Sequence, residues 1–277
     1  MHLLMCGDCG VLAGMEVVIY SATYYTPGIH WHIMTMDVEV SHSDGSTNGY
    51  MALTPDMKAW LSHLVHFLDR SASIDFYQCE TTYQEHLADS VNRDTNFTPY
   101  AALRLLADLV LPVEHCLYLD ADVVVTEDLR PMYSDYLSRD SDYAASYAYE
   151  ALDDWGEMVS GVMFLNLARM RHSGSLARAR RLYNTRRFRY PDQAALFYAQ
   201  EPGRMHSSHV SERNWKELAD KPTIIHLTSE NYGKPYTLTS GLFYRYYPEF
   251  KFIFDGLEKA RECYRGACDW YRPPRPV

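Results

Sequence analysis

No run of apolar residues in this 277-residue chain approaches the roughly 20 needed to cross a bilayer. Positive charge is in deficit as well. The 26 Lys and Arg face 36 Asp and Glu, and the net charge of −10 argues against a nucleic-acid binder, whose footprint is a basic patch. The opening Met1-His2-Leu3-Leu4-Met5 has neither a basic start nor a long apolar stretch, so a buried strand is expected there and not a signal peptide. A cytoplasmic protein with reduced thiols follows as the expectation, with at most peripheral contact at the inner face of a membrane.

Cysteine is scarce. Of the six, Cys6 and Cys9 have the spacing of a redox or zinc pair, and Cys263 with Cys268 could complete a four-cysteine site. The second pair is loosely spaced and nothing around it looks like a zinc knuckle. Cys6 and Cys9 are therefore read as small residues needed at a strand-to-helix turn. Repeats and low-complexity linkers are missing too, so one domain over 1–277 is expected, with halves 1–125 and 126–277 sharing a sheet. What is present suits that: 47% apolar and 22% charged residues are ordinary for a globular chain of this size. An acidic protein can still hold a diphosphate if a metal ion and a few local cations supply positive charge.

Strand and helix signals alternate through the first half. Leu3 to Cys6 is expected as a central strand, and Val11, Met15, Val18, Ile19 and Ala22 recur behind it at helical spacing. Ile29 to Met34 and Ser73 to Tyr77 read as further strands. Between them, Thr54-Pro55 supplies an N-cap and a first-turn proline for a helix with core face Met57, Trp60, Leu61, Leu64, Val65 and Leu68. Thr98-Pro99 repeats that chemistry before Leu103, Leu106, Ala107 and Val110, and Pro112 closes the helix. Cys116 to Leu119 is then a buried strand running into Asp120. The alternation predicts an α/β, doubly wound, Rossmann-like domain with a mostly parallel sheet flanked by helices. Such sheets bind ligands at the carboxyl ends of their strands, where Asp8 and Asp120 fall. Further on, Ala144 to Tyr147 and Val162 to Leu165 are expected strands, and Arg178 to Arg189 a solvated helix face with its flank. Residues 201–222 read as loop, and 246–277 is rich in aromatics, charges and prolines.

Asp120-Ala121-Asp122 is the candidate chemical centre. Two carboxylates two residues apart at a strand end can hold a hard divalent cation through oxygen, and that cation can bridge the phosphates of a nucleotide sugar. Alone, an Asp-x-Asp triplet is common in surface turns. Here Leu117-Tyr118-Leu119 precedes it and Val123-Val124-Val125 follows. Two ionised carboxylates between apolar strands would repel each other without a cation between them.

Tyr118 to Val125 resembles the signature of glycosyltransferase family 8, which includes bacterial lipopolysaccharide galactosyl- and glucosyltransferases and glycogenins. The resemblance extends in patches from Leu3 to Tyr236. It implies a GT-A fold, with 1–125 as the nucleotide-binding half and 126–277 as the acceptor and sugar half. Thr98 to Leu105 is similar to the family helix whose arginine, here Arg104, approaches the donor's diphosphate and sugar. Asp8 falls where the family recognises uracil, although Cys9-Gly10 replaces the usual residues after it. Ile225-His226-Leu227 resembles the segment whose histidine joins the two aspartates on the metal. Lys234-Pro235-Tyr236 is similar to the element whose lysine contacts the diphosphate. The implied metal ligands are thus Asp120, Asp122 and His226, a set that suits Mn²⁺ better than Mg²⁺. Ser160 to Leu167 looks like a family strand that carries asparagine at the place of Val159. Tyr190-Pro191-Asp192-Gln193 is similar to the sugar-site element, with Ala194 in place of its second aspartate.

The resemblance implies retaining transfer of a hexose from a UDP-sugar to a glycan, a lipid-linked glycan or another hydroxyl acceptor. Asp192 and Gln193 would be the catalytic pair. An amide is a poor nucleophile, so front-face transfer, in which the leaving phosphate helps deprotonate the acceptor, fits Gln193 better than double displacement. Two alternatives stay open. One is an inverting transferase with Asp153 or Asp154 as base. The other is a nucleotide-sugar-binding protein without efficient turnover, an idea motivated by Val159 and Ala194.

Overall fold

Alternation along the first strand sets the architecture. In His2–Cys6 (β1), Leu3 and Met5 enter one apolar cluster while Leu4 and Cys6 enter another, the period-two pattern of a strand covered on both faces. The computed structural model describes residues 1–42, 45–93, 95, 97–146, 158–200, 203–204, 210–211, 222–227 and 250–265. After β1 come α1 (Leu12–Tyr25), β2 (His30–Thr35), the hairpin β3 (Val38–Ser41) and β4 (Thr47–Tyr50), α2 (Pro55–Leu68), β5 (Ser73–Gln78) and α3 (Glu80–His86). Short helices α4 (Pro99–Leu103) and α5 (Ala107–Val110) lead to β6 (His115–Leu119), β7 (Val123–Val125) and α6 (Arg130–Leu137). Then follow β8 (Tyr143–Ser146), β9 (Val159–Asn166), α7 (Leu167–Ser173), α8 (Ser175–Thr185) and α9 (Pro191–Ala199). Three short strands, β10 (Gly203–Arg204), β11 (Val210–Ser211) and β12 (Ile224–His226), precede a helix over Lys251–Tyr264.

Among the described residues, seven strands form the main sheet in the order β10-β8-β9-β6-β1-β2-β5. Its pairs are parallel except those of β9, which runs against both β6 and β8. The α/β, mostly parallel expectation is therefore met, and strands from both 1–125 and 126–277 share the sheet. A second sheet of β11, β12 and β7 pairs β12 antiparallel to β7. The predicted capping of α2 is observed: Thr54 Oγ1 accepts from Met57 N at 3.3 Å with Pro55 in the first turn.

Several expectations change. The helix after Thr98-Pro99 is not continuous, because a 3₁₀ turn over Arg104–Leu106 separates α4 from α5. That turn is where Arg104 is aimed into the protein. The arginine-rich stretch is not simply a solvated face, since Arg180 is buried and paired with Asp108. Within 246–277, the helix Lys251–Tyr264 packs Ile253, Leu257 and Ala260 into the core. Arg261 donates to the buried Glu16 of α1, which also accepts from Trp60 Nε1 at 2.6 Å. Cys6, Cys9, Cys79 and Cys116 are free, whereas Cys263 is disulfide-bonded, against the expectation of reduced thiols throughout.

Candidate active site

Three chain segments distant in sequence converge at the carboxyl end of β6. Because β9 is antiparallel to β6, its first residues lie beside that end, and Asp120 N donates to Gly161 O at 2.8 Å. Helix α1 passes against the Asp120-Ala121-Asp122 turn at Gly14, where a Cβ would sit 2.1 Å from Ala121 O. Only glycine permits that approach. From Asp122 the chain enters β7, which pairs with β12 so that Val123 faces His226, and Leu227 N donates to Asp122 O at 2.8 Å.

This register brings one ligand atom each from Asp120, Asp122 and His226 within 4.8 Å of one another. Asp122 Oδ1 lies 3.2 Å from His226 Nε2 without hydrogen-bond geometry, and it is buried with no hydrogen-bond partner among the described residues. Leaving a buried polar atom in that state costs about 1–3 kcal/mol, more for a charged one. A divalent cation held by the three groups would satisfy it, and two carboxylates with an imidazole are a donor set that could hold one. His226 is buried above Gly161, where a Cβ would meet its ring at 2.3 to 2.9 Å.

Arg104 is the electrostatic hub. Its side chain is only 5% exposed, 3.1 Å from Asp120 Oδ1 and 3.3 Å from Asp192 Oδ2. It also donates to the carbonyls of Ala101 and Ser160 and lies 4.3 Å from the centre of the Tyr118 ring. Burial opposes its charge, but Asp120, Tyr118 and Asp192 more than offset that, so its pKa is raised. Asp192 shifts upward because it is buried, with Arg104 holding it back in part. Gln193 Oε1 accepts from Ser160 N at 3.2 Å and Ser160 Oγ at 3.3 Å. On the far side Asp8 caps a 3₁₀ turn through Gly10 N and Val11 N, at 3.0 and 3.2 Å, and burial raises its pKa.

Asp8, Arg104, Asp120, Asp122, Asp192, Gln193 and His226 all line one cleft of about 470 Å³. Lys234 lies outside the described residues, as do Asp153 and Asp154. Val159 lines the cleft, but Ala194 is fully buried in the apolar cluster beneath it and is not part of the lining. Two contributors escaped sequence reasoning. Tyr118 donates its hydroxyl to Asp120 Oδ1, legible in hindsight because residues two apart on a strand share a face. Gly161 left no signal beyond its place in the motif.

No family model and no curated protein sequence matches this chain. Solved structures do. The galactosyltransferase LgtC, in complex with donor and acceptor sugar analogs, is 16% identical over 82% of this chain and 86% of that one, with a TM-score of 0.56. The bifunctional glycosyltransferase WbbM, in its apo form, is 14% identical over 84% of this chain at a TM-score of 0.61, and the match spans 46% of WbbM. Mouse xyloside xylosyltransferase 1 is 12% identical over 83% of this chain and 98% of that one, with a TM-score of 0.56. At these identities the likeness is one of fold: the chain has the α/β GT-A fold of glycosyltransferases.

Proposed function

We propose that this chain is a metal-dependent glycosyltransferase moving a hexose from a UDP-sugar to a hydroxyl of a glycan or lipid-linked glycan, with retention of configuration. The observation that carries the reading is the meeting of Asp120, Asp122 and His226 around the unpartnered Asp122 Oδ1. These three residues would hold Mn²⁺, which when bound neutralises diphosphate charge and makes the nucleotide a better leaving group. Arg104 keeps Asp120 and Asp192 oriented, and the cleft between Asp8 and Asp192 accepts the donor. In this reading Asp8 recognises the base, Lys234 faces the diphosphate, and Asp192 accepts hydrogen bonds from sugar hydroxyls.

Gln193 has its amide oxygen engaged by Ser160, which supports a positioning role beside the anomeric carbon over nucleophilic attack. The transfer is then front-faced. The bond from the anomeric carbon to phosphate oxygen breaks, the acceptor oxygen bonds to the same face, and its proton passes to the departing phosphate. A second reading, a nucleotide-sugar binder without turnover, is favoured by one feature only: Val159 presents an apolar side chain to the cleft.

UDP release from a panel of UDP-hexoses, measured with Mn²⁺ and again after chelation, tests both readings. Mn²⁺-dependent release is expected for at least one donor. Mn²⁺-dependent UDP binding without release from any donor would favour the binder, and neither binding nor release would refute both.

A further inference from the structure

Three histidines meet at the opposite end of the sheet, outside every role assigned above. His2 opens β1, His30 and His32 stand two apart in β2, and His2 pairs in register with His30. All three side chains therefore leave the same face. His2 Nδ1 is 2.9 Å from His32 Nε2, and the His30 and His32 rings stack with centroids 4.5 Å apart. One ring nitrogen from each lies within 4.8 Å of the other two. Around them stand groups that fix ring orientation. Asp75 Oδ2 is 2.7 Å from His30 Nε2, and the Tyr77 hydroxyl is 3.0 Å from His32 Nδ1. Carboxylate and hydroxyl partners on the far nitrogen are what hold ligating imidazoles in metal sites.

We propose that His2, His30 and His32 form a second metal site, separate from the Asp120, Asp122 and His226 group, that takes a borderline transition cation of the zinc or nickel class. Imidazole ligands suit Zn²⁺, Ni²⁺ and Cu²⁺, whereas Mg²⁺ and Mn²⁺ favour oxygen. In a tetrahedral site with bonds of about 2.0–2.1 Å, ligand nitrogens stand about 3.3 Å apart. His2 and His32 therefore need to separate by only about 0.4 Å, a small side-chain adjustment. His30 is 34% exposed and opens the group to solvent, which gives an entry path and room for a water as fourth ligand. Along the five residues of β1 the two ends of the sheet are separated by about 15 Å at ~3.3 Å per residue, so the sites share no ligand. A cation here would clamp the amino ends of β1 and β2 and stabilise the fold by mass action.

The test uses tag-free, chelator-stripped protein carrying Asp120→Asn and Asp122→Asn, so that the carboxylate site is disabled. Titration calorimetry with Zn²⁺ or Ni²⁺ should give one cation per chain, with a dissociation constant below about 10 μM. Added His30→Ala or His2→Ala should each weaken binding at least about tenfold, and Zn²⁺ should raise the melting temperature of the parent but not of these variants. Both histidines are only half-buried, and far-UV circular dichroism establishes that the variants fold. Absence of saturable one-to-one binding in the parent overturns the proposal. So does unchanged affinity in both histidine variants, or displacement of Zn²⁺ by equimolar Mn²⁺.

Discussion

Replacing Gly161 with alanine would place a methyl group 2.3 Å from Cε1 and 2.5 Å from Nε2 of His226. No Cβ tolerates such contacts, and the imidazole is a rigid buried ring, so either the ring or the start of β9 must shift. The backbone there is anchored, since Gly161 O accepts from Asp120 N and Val162 pairs with Leu119 in register. The ring is the easier group to displace. Overpacking of this kind costs about 1–3 kcal/mol, and if that strain falls on the metal-competent arrangement, Mn²⁺ affinity drops by about 5- to 150-fold. Calorimetric titration of Mn²⁺, paired with a thermal melt in chelator, separates the two effects. Val162→Ala on the same strand is the control: it removes buried apolar volume away from the ring and should lower the melting temperature while leaving Mn²⁺ affinity intact. If Gly161→Ala melts lower yet binds Mn²⁺ as tightly as the parent, His226 is a packed core residue and not a ligand.

Asp122→Ala removes an unpartnered buried carboxylate oxygen, so metal-free stability should hold or rise by about 1 kcal/mol while Mn²⁺-dependent UDP binding disappears; denaturant melts and calorimetry check both halves. His226→Ala should weaken Mn²⁺ binding, whereas Lys234→Ala should weaken UDP binding at saturating Mn²⁺, and equal losses in both assays would contradict the assigned roles. His32 gives a pH dependence. Burial first, then the neighbouring His30 and His2, pull its pKa from 6.5 down to about 4. The unfolded chain therefore binds the proton more tightly, and the stability His32 contributes is complete above pH 6.5 and is lost as pH falls towards 4. At about pH 5 the loss is at most about 2 kcal/mol, measured by urea denaturation of chelator-treated protein, and His32→Gln should flatten that slope. Val159→Asn places a polar group on the cleft wall and should change the ranking of UDP-hexose donors, read as relative kcat/KM; an unchanged ranking would make Val159 irrelevant to donor choice.

The parallel core of the fold was legible because each strand is a short apolar run and two of the helices begin with Thr-Pro. The direction of β9 was not, because Val162 to Leu165 reads the same whichever way the strand runs. That direction matters, since it alone brings Ser160 and Gly161 to Asp120. The Asp120 and Asp122 pair was visible from its apolar flanks, but the Arg104 link to Asp192 joins segments that no local pattern connects. Arg180 reads as solvated for the same reason: its partner Asp108 lies in another helix, and an arginine-rich segment looks solvated until the acid that buries one member is known. Ala194 reads from the sequence as a departure in the sugar-site element, yet a position next to cleft residues on a helix can face the core, as this one does.

The pairing of β12 with β7 has a consequence for how the chain would acquire the metal affinity proposed for it. Thr126 and Thr223, joined just beyond that pair, are 97 positions apart. Closing a loop of that length costs about 4 kcal/mol in chain entropy, most of it independent of what fills the loop. During synthesis the two aspartates emerge long before the histidine, so a nascent chain carries an incomplete cation site until its last quarter docks. The cation would then bind the finished arrangement in preference to every earlier one, acting as a ratchet that holds the late strand in place.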